Sequence, residues 1–338
     1  MADGNDKNIA AFIVALLEAK GVGPRTVAAL LEGEMSRISA AGALDAGFLE
    51  ARAAGGSKAA SRIARSLERS GARWEDLEAA AGEVLAQADA AGAHVLHPGM
   101  DAYPRRLLRN RSRPPVLYCL GDPGALDAEK AVAMVGTRNP TDFGARMGRR
   151  LAELLASDDY VIVSGLALGC DTMAHEGALD ARGRTVAVLP TPIGAPVYPR
   201  QNQSLAGRIV DAGGALVSEY PPNQELTDRQ LIANLVARDE WQPGLADGLV
   251  AFETSVDGGT RHAMRHALET GTPVAVFDYS ARQGVDFWGD ERFGGNAACL
   301  RSGEASRIFE PQTIDDFKAR MDGRRASPAG GQQALPLG

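Results

Sequence analysis

Aromatic residues make up only 5% of the 338-residue chain, and cysteine occurs three times. Cys119, Cys170 and Cys299 are isolated and odd in number. That pattern excludes a disulfide framework and paired metal-ligand spacing, and leaves reduced thiols packed as small apolar residues. No apolar run approaches the roughly 20 residues that span a bilayer. Residues Met1 to Lys7 lack the basic-then-apolar layout of a secretory signal. A cytoplasmic protein with no membrane segment is the expectation. An overall basic charge is lacking too: the net charge is −7, which argues against indiscriminate nucleic-acid binding. No GxGxxG fingerprint follows the central strands, so the dinucleotide reading is weak and no cofactor or metal is expected.

What is present centres on residues 131 to 175. Two short apolar runs, Ala131–Val135 and Tyr160–Ser164, each lead into a glycine-bearing turn and then a helical stretch. Runs this short, rich in Val and Ile and bounded by Gly, read as buried parallel strands. Between them Met147, Leu151, Leu154 and Leu155 fall at helical spacing, completing a strand-helix-strand unit. Further strands are expected at Thr185–Leu189, Ala215–Ser218, Gly248–Phe252 and Pro273–Phe277, with helices between them. The alternation predicts an α/β fold with a doubly wound, mainly parallel sheet. In such a sheet the loops at the strands' carboxyl ends face the ligand. Gly136-Thr137-Arg138, the loop from Ser164 through Gly165 and Gly169 to Asp171, and Gly258-Gly259-Thr260-Arg261 are therefore candidate phosphate-contacting segments. Helix N-capping competes with ligand binding for Asp171. His175 is read as a packing residue rather than a catalyst. Glu253 could hold a ribose hydroxyl or make a strand-end hydrogen bond.

Ahead of the sheet, residues 1–92 read as a small all-α domain. Ile9–Ala19 and Arg25–Leu31 flank Lys20-Gly-Val-Gly-Pro24, a turn that resembles a helix-hairpin-helix, in which backbone N–H groups approach phosphates. Residues 93–321 form the α/β domain, and 322–338, rich in Gly, Pro, Gln and Ser, are expected to be a disordered tail. Charge is uneven: residues 101 to 150 carry ten Lys/Arg against five Asp/Glu. Arg105, Arg106, Arg109, Arg111 and Arg113 are a candidate secondary phosphate-binding patch, with a solvated arginine face as the alternative.

Several blocks occur in the order found in the DNA-processing protein A family (DprA, also called Smf). They are His97-Pro-Gly-Met-Asp-Ala-Tyr-Pro104, Pro114-Pro-Val-Leu-Tyr-Cys-Leu-Gly121, Met134-Val-Gly-Thr-Arg138, Val163-Ser-Gly-Leu-Ala-Leu-Gly-Cys-Asp-Thr-Met-Ala-His175, Val197-Tyr-Pro-Arg-Gln-Asn202 and Val217-Ser-Glu-Tyr-Pro-Pro222, closed by Gly295-Asn296 and Leu300-Arg-Ser-Gly303. Over about residues 95 to 305 the chain resembles this family. The resemblance implies an extended Rossmann-like fold, single-stranded DNA binding, homodimer formation, and loading of a RecA-type recombinase during natural transformation. Arg138 matches the family's Gly-Ser-Arg turn. In two respects the chain departs from the pattern. The family's basic Arg-Arg-Asn-Arg segment corresponds to Ala237-Arg-Asp-Glu240, so only Arg238 is kept and acid stands where phosphate contact is expected. The family's common C-terminal winged helix has no counterpart in the sequence.

Two other functions compete. A nucleotide-ligand sensor on the same fold, acting with an operon-encoded effector in phage defence or toxin control, would suit the acidic Asp239 and Glu240. A nucleoside-monophosphate phosphoribohydrolase would need the Glu of a Pro-Gly-Gly-x-Gly-Thr-x-x-Glu motif. Asp257-Gly-Gly-Thr-Arg-His-Ala-Met264 lacks it, which removes the carboxylate that would support an oxocarbenium-like transition state. A non-enzymatic DNA-binding protein is the expectation.

Overall fold

A computed structural model describes residues 4–110, 113–222 and 224–326. Five helices come first: α1 (Gly4–Glu18), α2 (Pro24–Ser39), α3 (Ala46–Ala54), α4 (Lys58–Ser70) and α5 (Trp74–Ala90). Their ends follow local chemistry. Pro24 opens α2, where its missing N–H costs nothing. Ser57 caps α4 by accepting from the Ala60 N–H, and Gly71 closes it at φ 65°.

Nine strands make one sheet in the order β1-β2-β6-β5-β4-β3-β7-β8-β9. β1 (Ala93–Leu96) and β2 (Leu117–Gly121) form an antiparallel edge on β6. The rest is parallel: β3 (Ala131–Val135), β4 (Val161–Ser164), β5 (Thr185–Val188), β6 (Ala215–Ser218), β7 (Gly248–Ala251), β8 (Val274–Phe277) and β9 (Ser306–Ile308). Connecting helices are α6 (Asp142–Ser157), α7 (Cys170–Asp180), α8 (Gln203–Asp211), α9 (Asp228–Gly244), α10 (Thr260–Glu269) and α11 (Gly294–Ser302), with α12 (Pro311–Ala326) last. Every residue of β3 through β8 is buried, as continuous apolar runs between helical layers require.

The connection order decides where a ligand could sit. From β3 the chain steps outward through β4, β5 and β6, then returns to place β7 on the other side of β3. The gap between the exits of β3 and β7 is thus the topological switch point, where two neighbouring loops leave the sheet in opposite directions and open a crevice.

The N-terminal helices share a core with this sheet. One apolar cluster joins Phe12, Leu16, Leu31, Val84 and Ala88 to Tyr118, Leu189, Leu205 and Leu216. At the other end, α12 continues to Ala326. Residues 322–326, which composition assigns to a tail, are therefore the last turns of a helix whose Phe317 and Met321 are buried; Arg324 Nη1 donates to the Thr270 carbonyl at 2.9 Å. Residues 327–338 lie outside the described part.

Candidate functional site

A cleft of about 560 Å³ opens at the switch point. It is lined by Gly136, Thr137 and Arg138 after β3, Ala167 and Asp171 after β4, and Thr254, Ser255, Gly258, Gly259 and Thr260 after β7. Helix α9 supplies the opposite wall through Ile232, Leu235, Val236, Arg238, Asp239 and Gln242. Three loops far apart in sequence meet because their strands are adjacent and parallel.

The β3 loop is pinned from β7. The Thr137 N–H donates to the Glu253 carbonyl at 2.8 Å. The Thr141 N–H donates to Glu253 Oε2 at 2.8 Å and its hydroxyl to Oε1 at 2.6 Å. Thr141 in turn caps α6 by accepting from the Gly144 N–H. Glu253 is 1% exposed; it is a strand-end anchor, not a ribose ligand. Held at both ends, the loop presents Arg138 to solvent, with no ion pair among the described residues. Residue 169 adopts φ 77°, and a β-carbon there would lie 2.5 Å from the Thr137 and Arg138 carbonyl oxygens. Only glycine lets α7 begin this close to the Arg138 loop.

Beneath Arg138 lies a buried charge pair. Asp171 Oδ2 accepts from the Gly165 and Ala167 N–H groups, each at 3.2 Å, and stands 4.0 Å from Arg238 Nη2. Arg238 is 4% exposed and donates through Nη1 to the Gly165 carbonyl. Residue 165 must be small here, since a β-carbon would sit 2.7 Å from the guanidinium carbon. Burial pushes the Asp171 carboxyl up, opposed by Arg238 and the two N–H donors. Burial lowers the Arg238 guanidinium, which still keeps its proton. Asp239, 3.8 Å from Arg238 Nε, is pushed up to about 7, chiefly by burial. The cleft therefore holds two arginines, one structural carboxylate and one carboxylate that titrates near neutrality.

Across from Arg138, α10 starts at Thr260 with no side chain capping it and no acid in its first turn. The Ser255 and Thr260 hydroxyls offer donors to an anion there, while the Arg261 and His262 N–H groups donate back to the Gly258 and Gly259 carbonyls and the Thr254 hydroxyl to the Ser255 carbonyl. Tyr198, 37% exposed, borders a smaller hollow with Arg138, Leu168 and Arg238. His262 is legible from the sequence beside the Asp257–Thr260 turn, whereas Tyr198, Ile232 and Val236 are not singled out there; the signal for Tyr198 is its place in the Val197–Asn202 block.

Of the sequence candidates, Gly136, Thr137, Arg138, Asp171, Arg238, Gly258, Gly259 and Thr260 meet in the cleft. Ser164 is fully buried and donates to the Met134 carbonyl at 2.6 Å. Gly165 and Gly169 shape the loop without lining the cleft. Arg261 points to Cys299 Sγ at 3.1 Å, and His262 takes its place at the rim. His175 is buried with Nδ1 2.7 Å from Thr185 Oγ1, and burial takes it down to about 3. It packs. The secondary patch does not join the site. Arg106 forms a two-pronged ion pair with buried Asp247, whose Oδ2 also accepts from Ala131 N at the amino end of β3, the opposite edge of the sheet. Arg105 pairs with Asp127 at 2.6 Å, and Arg113 is buried with Nη1 on the Asn110 carbonyl. Arg109 lies in the same short turn, Leu107–Arg109, away from the cleft lining, and Arg111 falls outside the described residues.

The chain is similar to known proteins in sequence and fold. The chain is 35% identical over 181 residues to Protein Smf of Escherichia coli, covering 54% of this chain and 47% of that protein. It is 31% identical over 200 residues to the DNA processing protein DprA of Bacillus subtilis, covering 58% and 65%. The chain thus spans about half the length of the first of these relatives and just under two thirds of the second. Among solved structures, DNA processing protein A of Streptococcus pneumoniae superposes with a TM-score of 0.69 at 21% identity over 90% of this chain and 97% of that one. The Helicobacter pylori protein, whose structure describes its single-stranded DNA binding mode, does so at 0.57 and 26% over 68% and 96%. The family model for DNA recombination-mediator protein A matches residues 94–317, all three cleft loops included, and the chain belongs to that family.

Proposed function

We propose that the protein binds single-stranded DNA across the switch-point cleft and acts in DNA recombination without catalysing a reaction. One observation carries the reading: Arg138, exposed and with no ion pair among the described residues, is fixed on a pinned loop that shares the cleft with the uncapped start of α10. A cation held in place while unpaired is a phosphate contact prepared in advance. Tyr198 beside it offers an aromatic face on which a base can stack, while Ile232 and Val236 give an apolar wall. The H. pylori relative, described by its single-stranded DNA binding mode, supports the ligand class. Homodimer formation, a RecA-type recombinase as partner and a role in transformation belong to the same proposal on family grounds.

The test is fluorescence polarisation of a labelled single strand of about 20 nucleotides, longer than the roughly 4–16 nucleotides one module covers. Arg138→Ala is expected to weaken binding at least tenfold, the scale of a lost charged hydrogen bond of about 1.5–3 kcal/mol. Equal affinities for variant and wild type would contradict the assignment. A second reading, a mononucleotide sensor, is favoured by the cleft's volume of about 560 Å³ and its carboxylates. Displacement of the strand by micromolar mononucleotide would select it.

A further inference from the structure

A second set of basic residues lies outside the cleft, on the N-terminal helices. Arg25 on α2 and Lys58, Arg62 and Arg65 on α4 line one groove of about 660 Å³, with no acidic residue among its walls. None of the four has an ion pair among the described residues, unlike exposed Arg149, which pairs with Glu176 and Asp180, and Arg292, which pairs with Asp290. The chain as a whole is acidic, at −7, so carboxylates were available and were not placed here.

Position sharpens the point. Lys58 is the first residue of α4 and Arg25 the second of α2. Folding alone favours acids at a helix start, because the dipole there is positive, yet neither first turn holds one. Along α4, Lys58, Arg62, Arg65 and Arg69 recur at i, i+4, i+7 and i+11. They form one row roughly 16 Å long at 1.5 Å per residue. Ser66 Oγ, in the same helix, donates to the Lys20 carbonyl at 3.1 Å and ties the Lys20–Pro24 turn to α4. Like charges gathered in a row, the first of them against the helix dipole, repel one another in the free protein, and an extended polyanion relieves that repulsion.

We propose that the α2–α4 groove holds the phosphate backbone of single-stranded DNA, as a contact surface separate from the cleft. The ligand class rests on the DNA-binding reading above; the site does not, since the two linings share no residue.

The experiment uses the full chain and a labelled strand of about 40 nucleotides, titrated at several salt concentrations. Lys58→Gln/Arg62→Gln/Arg65→Gln keeps helix-forming side chains at exposed positions, and an unchanged far-UV spectrum confirms the fold. Losing three phosphate contacts lowers the salt slope by about 2, at roughly 0.7 per contact. Between about 50 and 200 mM salt the wild type then loses about 20-fold more affinity than the variant. Arg62→Lys, which keeps the charge, is expected to bind as wild type. An unchanged slope and affinity in the triple variant would overturn the groove and leave the cleft standing. Binding that survives Arg138→Ala but is lost in the triple variant would overturn the cleft and leave the groove standing. Displacement by polyglutamate as effective as by unlabelled strand would overturn the nucleic-acid assignment.

Discussion

At the scale of single residues, charge placement separates function from stability. Arg106 and Arg138 sit at opposite ends of β3, and only the first is satisfied. Asp247, buried, meets Arg106 at 2.7 Å. Removing Arg106 leaves the Asp247 carboxylate only Arg325 at 3.7 Å and the Ala131 N–H, so Arg106→Ala is expected to cost about 2–3 kcal/mol in denaturant unfolding while leaving strand affinity intact. A full-strength fold with lost binding would invert that assignment. Asp239 gives a pH dependence. Its carboxyl titrates near 7, so raising pH through that value adds a negative charge beside Arg238 and the incoming phosphate. Affinity for the strand should rise as pH falls from about 8 to 6, and Asp239→Asn at pH 8 should bind as the wild type does at pH 6. Because the folded state holds this proton above the ordinary carboxylate range, the group's contribution also makes stability decline as pH rises from about 4 to 7. A wild-type affinity flat across neutrality would contradict the placement of Asp239.

The behaviour of whole elements follows from how their ends are held. The α6 start, the Arg138 loop and the β7 exit are one hydrogen-bonded unit through Thr141 and Glu253. Thr141→Ala removes the cap and the hydroxyl contact to Glu253, costing about 1–2 kcal/mol of stability. It should also weaken strand binding although Thr141 touches no ligand, because Arg138 loses its fixed position; binding unaffected by Thr141→Ala would show that the pinned loop is irrelevant. The strands from β3 to β8 were legible in the sequence because each is a short, mostly apolar run bounded by turn-forming residues. β9 and α12 were not: β9 has three residues with one buried, and α12 buries only Phe317 and Met321, too thin a stripe for periodicity to reveal. The C-terminal end of α9 at Gly244 was not legible either, since Pro243 lies inside its last turn. The cleft loops were legible as strand exits. The fate of the arginines at 105–113 was not, because their partners lie 22 and 141 residues away.

For the molecule as a whole, the shared core between the N-terminal helices and the sheet predicts one cooperative unfolding transition. Fluorescence of a Trp74-only variant, which reports the helices, and far-UV dichroism should give coincident midpoints; two separated transitions would restore an independent helical domain. The central claim concerns where the strand lies. Photo-crosslinking of an iodouracil-substituted strand, followed by peptide mapping, tests it most directly. The account predicts crosslinks in the peptides carrying Arg138, Tyr198 and residues 254–262. Crosslinks confined to residues 105–110, with none at the switch-point loops, would contradict it.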